Sequence, residues 1–224
     1  MALFGKLTLW LDARKRPGPE AMAVDEWLAE STKVPVLRVY GWQGNWGSLG
    51  YFGKISEARA ALPELDWVRR WTGGGLVDHR ADWTYTLAAP AGEKICKLRG
   101  AESYRLIHAA LAGALEAEGI DARLSSGDQQ TGAALCFRNP VGYDLVDGAG
   151  RKLAGAGQRR TKCGLLHQGS LALPCAGAAG EQRAGRLAAA LAEQWEHTDP
   201  EPPEDLIERK IRDRYGRAAW TARC

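Results

Sequence analysis

Closely spaced cysteines are missing from this sequence. Its five cysteines are scattered over 224 residues and lack the short spacings that a zinc site or a thioredoxin-like redox motif requires. This pattern indicates a reduced, cytoplasmic protein. Long apolar runs are missing as well, because Lys6 interrupts the brief apolar stretch at the start and no later segment is long or apolar enough to cross a bilayer. We therefore expect neither a signal peptide nor a membrane span.

A strong excess of charge is also missing. The formal net charge is +3, and the basic residues are mixed with acidic ones, which argues against a dedicated nucleic-acid surface. Neither a Walker loop nor a dinucleotide-binding fingerprint is present. Three local basic groups remain, and they indicate either a solvated face or a docking rim for an acidic protein. These groups are residues 14–16, residues 159–162, and residues 209–212 with Arg214.

What is present is the composition of an ordinary globular protein. With 45% apolar and 25% charged residues, we expect one compact domain, of the size typical of an enzyme, over residues 1–224. Helical periodicity predicts helices over residues 20–30 and 101–118. Because helices cluster rather than alternate with strands, we predict an α+β fold, a mixed β-sheet packed by helices. The predicted strands cover residues 34–42, 65–71, 82–88, 134–137, 143–146, 152–157 and 165–173.

The C-terminal part of the chain, residues 176–224, is predicted to be a helical extension without a separate accessory domain. Helical periodicity is present over residues 184–195 and 203–215. The Pro-rich, acidic segment between them, residues 198–205, is typical of a surface connection.

A glycine triplet follows two arginines in residues 69–79, which read Arg-Arg-Trp-Thr-Gly-Gly-Gly-Leu-Val-Asp-His. Such a loop brings two guanidinium groups beside bare backbone amides, and it can hold carbonyl or anionic oxygens. The alternative is a flexible hairpin turn. Ordinary two-residue turns need only one or two glycines, so the third glycine indicates a close approach by another group.

Lys152 is a cation among neighbours with almost no side chain. Residues 150–157 read Gly-Arg-Lys-Leu-Ala-Gly-Ala-Gly. Small residues let a carbonyl or phosphate come close to the backbone and to the ammonium alike. Taken alone, the same pattern also describes a solvated strand lysine beside a turn.

Four motifs, taken in order, resemble the lipoate-protein ligase and octanoyltransferase superfamily, which also includes biotin protein ligases. The resemblance covers residues 20–175 and implies a single catalytic domain of the biotin/lipoate ligase type. It also implies an acyl chain buried in a tunnel, and transfer of that acyl group to a lysine on a lipoyl domain. The motifs are Met-Ala-Val-Asp-Glu at 22–26, the loop 69–79, the segment 150–156, and His-Gln-Gly-Ser at 167–170.

The resemblance implies roles for particular residues. Lys152 would hydrogen-bond the acyl carbonyl and stabilise the developing oxyanion. His79 and His167 could each move a proton, or could be core histidines. The implied substrate-binding set is Arg70, Gly73, Gly74, Gly75, His79, Gly155, Ala156, His167 and Gly169, with no metal ligands. The residues that would wall the tunnel, or simply belong to the core, are Trp42, Trp46, Leu49 and Tyr51.

Cys136 favours one branch of the superfamily. Residues 135–144, Leu-Cys-Phe-Arg-Asn-Pro-Val-Gly-Tyr-Asp, are similar to the cysteine-dependent octanoyltransferases, in which the matching cysteine becomes acylated. A thioester donor is already activated, so that branch requires no cofactor. Cys163 is a rival nucleophile without a recognised pattern around it, and Cys136 could also be a buried packing residue.

Two other interpretations remain open. The triplet Gly73-Gly74-Gly75 looks more like the ligases that use ATP and magnesium, and such a ligase would need an accessory subunit on another chain. A non-catalytic protein that binds lipoyl domains is the second alternative. For the transferase, the donor would be an acyl carrier protein and the acceptor a lipoyl domain or the glycine-cleavage H protein. No nucleic-acid or membrane partner is expected.

Overall fold

The computed structural model describes residues 2–127, 141–174 and 177–223, and in these ranges two β-sheets are packed by helices. Cys136 and the strand predicted over residues 134–137 lie outside the described residues. None of the helices within the described ranges has the length and apolar character needed to cross a membrane.

The secondary-structure elements are numbered here in chain order. The strands are β1 (Phe4–Arg16), β2 (Val36–Trp42), β3 (Trp46–Leu49), β4 (Asp66–Arg69), β5 (Leu76–Asp78), β6 (Trp83–Pro90), β7 (Arg123–Leu124), β8 (Leu145–Val146), β9 (Lys152–Thr161), β10 (Gly164–Leu171) and β11 (Ala192–His197). The helices are α1 (Gly18–Ser31), α2 (Ile55–Ala61), α3 (Lys94–Lys97), α4 (Gly100–Glu116), α5 (Ala178–Leu191), α6 (Glu204–Lys210) and α7 (Ala218–Ala222), with a π-helical turn (Ile211–Tyr215) between α6 and α7.

Within the described ranges, eight strands form the larger sheet in the order β11-β1-β2-β6-β10-β9-β8-β7. Strand β1 is parallel to β2 and β11, and the pairs from β2 to β7 are antiparallel. The smaller sheet has the order β4-β3-β5, parallel on one side of β3 and antiparallel on the other. The prediction of an α+β fold with a mixed sheet is confirmed.

The two helices predicted from periodicity, α1 and α4, are confirmed. In α4, Ile107, Leu111 and Leu115 are buried at a spacing of four residues, which keeps them on one face of the helix. Gly119 follows α4 with a φ of 77°, in the left-handed region that favours glycine after a helix. The start of α1 has Pro17 at its N-cap and Glu20 in its first turn.

Alternation along the central strands gives the larger sheet two different faces. Val39 and Leu87 belong to the core cluster under α4 and α5, while the adjacent residues Tyr40 and Ala88 belong to the cluster under α1 and α6. Successive side chains of a strand point to opposite faces, so each strand contributes to both layers. A cavity lies on the α1 side of the larger sheet.

Strand β1 is not predicted by the sequence pattern. Its second half, Asp-Ala-Arg-Lys-Arg, carries four charges and does not look like part of a sheet. In the structure, Arg16 Nε donates to Asp12 Oδ2 at 3.1 Å, and Arg38 Nη2 donates to the same oxygen at 2.7 Å. One of these ion pairs lies within β1 and the other joins β1 to β2, and together they make a charged strand compatible with burial.

The helix predicted over residues 184–195 ends too late, because α5 stops at Leu191 and the chain continues as strand β11. Residues of β11 pair in parallel with β1, in a register that joins Phe4 to Ala192 and Leu7 to Trp195. The ladder that β1 offers therefore replaces helical hydrogen bonds at this edge. Sequence periodicity alone does not contain that long-range pairing.

Candidate active site

A small cavity lies where α1, the larger sheet and the smaller sheet meet. Strands β2, β6, β9 and β10 supply its floor, and β3 and the segments around β5 supply its other walls. The lining residues are Met22, Tyr40, Trp42, Ser48, Arg70, Gly74, Val77, His79, Thr84, Gly155, Ala156, Gly157, Gln168, Gly169 and Ser170. Glycine and polar side chains thus make up much of the wall.

Lys152 lies directly behind one wall of this cavity. It is the first residue of β9, and only 2% of its side chain is exposed. A methyl group on Gly155 would lie 2.6 Å from Lys152 Nζ, which is too close for any other residue unless the lysine moved. Because Gly155 lines the cavity, the ammonium is separated from the cavity by a residue that has no side chain.

Asp144 forms a buried salt bridge with the Lys152 ammonium. Its Oδ2 is 2.7 Å from Lys152 Nζ, and its Oδ1 accepts a hydrogen bond from the Tyr104 hydroxyl at 2.5 Å. The backbone N–H of Ala156 donates to the same Tyr104 oxygen at 2.9 Å. The ion pair is therefore connected through one tyrosine to the backbone of a residue that lines the cavity. Such a network restricts where the ammonium can point.

The glycine triplet bends around Arg70. Gly74 has a φ of 100°, in the left-handed region, and it lines the cavity. Arg70 Nη2 donates to the carbonyl oxygens of Gly73 at 3.2 Å and Gly75 at 3.0 Å. Arg70 thus binds the loop from the inside, and its guanidinium faces the cavity.

Ser48, His79 and Asp82 form a buried relay behind Arg70. His79 Nε2 is 2.6 Å from Ser48 Oγ, and His79 Nδ1 is 2.8 Å from Asp82 Oδ2. Arg70 Nη1 donates to Ser48 Oγ at 2.7 Å. Because that oxygen already accepts from Arg70, the serine hydroxyl can donate to His79 Nε2, and His79 Nδ1–H can donate to the Asp82 carboxylate. Trp42 stacks on the imidazole at 4.0 Å. The connectivity is that of a Ser-His-Asp triad, but here the serine oxygen is bound to a guanidinium, so the relay orients Arg70.

Sequence reasoning missed Ser48, Asp82 and Gln168. Ser48 lies on β3 and His79 immediately follows β5, and no sequence spacing joins them. Gln168 Nε2 donates to Asp25 Oδ2 at 2.7 Å, and its Oε1 accepts from Thr72 Oγ1 at 2.8 Å. Gln168 therefore links α1, β10 and the glycine loop. Alternation along β10 was the available signal, since it separates Gln168 from its neighbour His167.

His167 lies on the opposite face of β10 from the cavity. Its Nε2 is 3.1 Å from the Tyr85 hydroxyl, its Nδ1 is 3.0 Å from Gln158 Nε2, and the side chain is fully buried. Burial lowers the pKa of His167 well below its ordinary value, and electrostatic interactions with His108 and Arg160 act in the same direction. The structure does not bring His167 to the cavity, and it lies as a neutral side chain beneath α4.

Comparison with known proteins agrees with this geometry. The family model of the lipoyl protein ligase A/B catalytic domain matches residues 17–197. The chain belongs to this family. The octanoyltransferase LipM of Symbiobacterium thermophilum is 35% identical over 178 residues, which cover 73% of this chain and 64% of that protein. The LipM of Bacillus subtilis is 32% identical over 168 residues, or 68% of this chain and 60% of that protein. Each match spans less than two thirds of the relative's length.

Solved structures show that the fold is that of the lipoyl protein ligase family. A bi-partite lipoate protein ligase from Thermoplasma acidophilum, described with its E2 lipoyl domain, has a TM-score of 0.71 at 17% identity and covers 98% of this chain and 96% of its own. A lipoate-protein ligase A bound with ATP has a TM-score of 0.72 at 19% identity, with 98% of both chains covered. The superfamily resemblance and the single catalytic-domain fold that it implied are confirmed.

The predicted site residues of this lipoyl protein ligase domain divide into three groups. Those that line the cavity are Arg70, Gly74, His79, Gly155, Ala156 and Gly169. Lys152 lies behind the cavity wall, and Gly73 and Gly75 contact Arg70 through their carbonyl oxygens. His167 lies beneath α4, and Cys136 lies outside the described residues.

Four residues are predicted either to wall a tunnel or to belong to the core, and of these Trp42 lines the cavity. Trp46 packs closely on Gly18, and Leu49 lies in the core between the smaller sheet and α2. Tyr51 lies on the outer side of the glycine loop, where its ring contacts Phe52 and Trp220.

Proposed function

We propose that this chain is the catalytic part of an acyltransferase, which moves an octanoyl or lipoyl group onto the ε-amine of a lysine on a lipoyl domain. The observation that carries the proposal is the ammonium of Lys152, held 2.7 Å from Asp144 and separated from the cavity by Gly155. The similarity to two LipM octanoyltransferases supports octanoyl as the acyl group.

Lys152 and the glycine loop would act on the acyl carbonyl. An acyl group in the cavity would place its carbonyl oxygen toward the ammonium, which would stabilise the negative charge that develops on that oxygen. Gly74 and Arg70 would border the same end of the acyl group, since both line the cavity. The Ser48-His79-Asp82 relay would keep Arg70 in place during the reaction.

The transfer would proceed in two steps through Cys136. In the first, the Cys136 thiolate attacks the carbonyl carbon of an acyl carrier protein thioester, a new thioester forms, and the carrier leaves as its thiol after taking up a proton. In the second, the lysine amine of the lipoyl domain or glycine-cleavage H protein attacks the acyl-Cys136 thioester. An amide forms, the cysteine thiolate is released, and the amine proton passes to that thiolate.

Intact mass spectrometry tests the proposal directly. Wild-type protein mixed with octanoyl acyl carrier protein, without nucleotide, is expected to gain one octanoyl group and to lose it when an apo lipoyl domain is added. Cys136→Ser is expected to gain none. Cys163→Ser is the matched control, because Cys163 is a half-buried thiol in the turn between β9 and β10, and it should acquire the adduct normally. An adduct that persists in Cys136→Ser would refute this mechanism.

An ATP-dependent lipoate ligase is the second candidate, favoured by the triplet Gly73-Gly74-Gly75 and by the fold likeness to a ligase bound with ATP. Arg70 and Lys152 are the cations that would face an acyl phosphate there. Such a ligase would require ATP, magnesium and an accessory subunit. Modification of a lipoyl domain that occurs with ATP and free lipoate, and never with an acyl thioester, would establish it. Binding without turnover with either donor would indicate a non-catalytic lipoyl-domain-binding protein.

A further inference from the structure

Arginine and aromatic side chains form one continuous patch on the outside of the glycine loop. We refer to it as the arginine–aromatic patch, and its members are Tyr51, Phe52, Trp71, Arg159, Arg214, Trp220 and Arg223. The guanidinium carbon of Arg159 lies 4.4 Å from the ring centroid of Trp71 and 5.2 Å from that of Tyr51. Arg223 lies 4.6 Å from Tyr51, on the same ring.

The patch and the cavity share the same loop segments. Tyr51 N–H donates to the carbonyl of Thr72 at 2.8 Å, and Arg159 Nη1 donates to the carbonyl of Trp71 at 3.3 Å. Gly74 and Gly157, a few residues along from these contacts, line the cavity. A protein bound to the patch would therefore lie beside the loop that surrounds the acyl site.

Phe52 is the exposed apolar residue of the patch. It is 85% exposed, and its ring contacts Tyr51 edge-on with the centroids 5.0 Å apart. Burying a phenylalanine side chain is favourable, and Phe52 does not gain that stabilisation in the isolated chain. An aromatic side chain beside arginines is the composition typical of residues that dominate protein–protein binding energy.

The charge of the patch is only partly compensated. Arg214 pairs with Glu26 at 2.6 Å, whereas neither Arg159 nor Arg223 has a carboxylate partner among the described residues. Arg159 Nε is buried and has no hydrogen-bond partner within the described residues. Aromatic faces attract these guanidinium groups but do not neutralise them. The patch therefore favours an anionic partner.

We propose that the arginine–aromatic patch is the docking site of an acidic acceptor domain, the lipoyl domain of the proposed function on which this inference rests. Phe52 inserts into an apolar contact near the target lysine, and Arg159 and Arg223 pair with carboxylates around it. The acceptor, rather than an acyl carrier protein, is chosen because it is the partner that the transferase and the ligase share.

Direct binding of an apo lipoyl domain tests the proposal without depending on turnover. Isothermal titration calorimetry is expected to show a dissociation constant raised about tenfold or more by Phe52→Ser and by Arg159→Glu. Arg159→Glu should also weaken the dependence of binding on salt, since it removes a docking charge. The matched control is Arg123→Glu, which changes an exposed arginine on β7 and should bind as wild type does. Circular dichroism melts confirm that each variant is folded.

Several results overturn the docking proposal while leaving the proposed function intact. One is an unchanged dissociation constant in both patch variants. Another is a normal affinity for the lipoyl domain combined with slower octanoyl adduct formation from acyl carrier protein, which would make the donor the occupant. A third is a change in the oligomeric state of the free protein in Phe52→Ser, which would make a second copy of the chain the occupant. The proposed function fails separately, by the absence of the Cys136 adduct.

Discussion

Lys152 depends on two neighbours of opposite character, a glycine in front of it and a carboxylate beside it. Gly155 leaves space for Nζ near the cavity, and Asp144 holds the ammonium at 2.7 Å. Tyr104 then ties the carboxylate to Ala156. A flexible lysine becomes a directed donor because each of these contacts removes part of its rotational freedom.

Replacing Asp144 should expose this dependence. We expect Asp144→Asn to lower kcat for acyl transfer about tenfold to a hundredfold with little change in KM for the lipoyl domain, because the proposed oxyanion donor, Lys152, would be misplaced rather than lost. Loss of the charged partner of a buried ammonium should also lower the free energy of unfolding, by about 3–5 kcal/mol. Tyr104→Phe should give a smaller decrease in kcat through the same network. Steady-state kinetics and urea unfolding measure the two effects.

Asp147→Asn is the control for that experiment, since Asp147 is nearby in sequence but pairs with the exposed Arg151. The asparagine keeps an acceptor for the backbone N–H groups of Ala149 and Arg151, so this variant should leave kinetics unchanged and change stability only slightly. A wild-type kcat in Asp144→Asn would show that Asp144 does not position Lys152.

At the scale of elements, two adjacent arginines at the end of β4 contact different parts of the structure. Arg70 points to the cavity, whereas Arg69 is fully buried and connects the loop after β3 to the C-terminal helix α7. The carbonyl oxygens that accept from Arg69 belong to Gly50, Tyr51, Gly53, Trp220, Thr221 and Arg223. A guanidinium near the last carbonyls of α7 also interacts favourably with the negative end of the helix dipole.

Arg69→Lys should detach α7. A lysine has three donors on one nitrogen and cannot reach both sets of carbonyl oxygens, and each buried acceptor left unpaired costs about 1–3 kcal/mol. We expect stability to fall by about 3 kcal/mol, and amide hydrogen exchange to rise in α7 and in residues 50–53. Arg209→Lys, on the exposed side of α6, is the matched control and should show neither change. Unchanged exchange in α7 would mean that other contacts hold it.

At the scale of the whole molecule, two neutral histidines are enclosed between α4 and the larger sheet. His108 Nδ1 is 2.7 Å from the Tyr143 carbonyl, and its Nε2 is buried without a partner among the described residues. Burial lowers the pKa of His108 from 6.5 to about 4. The unfolded chain therefore takes up a proton before the folded chain does, and the stability from this group is complete above pH 6.5 and declines as the pH falls toward 4.

His108→Gln should flatten the pH dependence of stability. Glutamine can still donate to the Tyr143 carbonyl but does not titrate, so the variant should lose about 3 kcal/mol less than wild type between pH 6.5 and 4. Urea unfolding at a series of pH values measures this difference. His197→Gln removes an exposed histidine and should keep the wild-type slope. Equal slopes in His108→Gln and wild type would contradict a neutral buried His108.

Much of the framework could be predicted from local patterns. The helices α1 and α4 follow from apolar spacing, and β2, β6 and β10 follow from alternation, because these patterns act within one element. Strand β1 could not be predicted, since the charge of Asp12 is compensated by Arg38 from another strand and that of Arg16 by Asp12 and by Glu20 of α1. Strand β11 could not either, since it exists through pairing with β1.

By itself the sequence determined the order of the motifs, and with it the family and the prediction that Lys152 is a site residue, because a motif is a property of adjacent residues. Only the tertiary structure decided which side chains share the cavity. It put Gln168 on the cavity side and His167 under α4, and it joined Ser48 on β3 to His79 just after β5. The physical reason is that strand register and sheet packing, rather than spacing along the chain, determine which polar groups come within hydrogen-bonding distance.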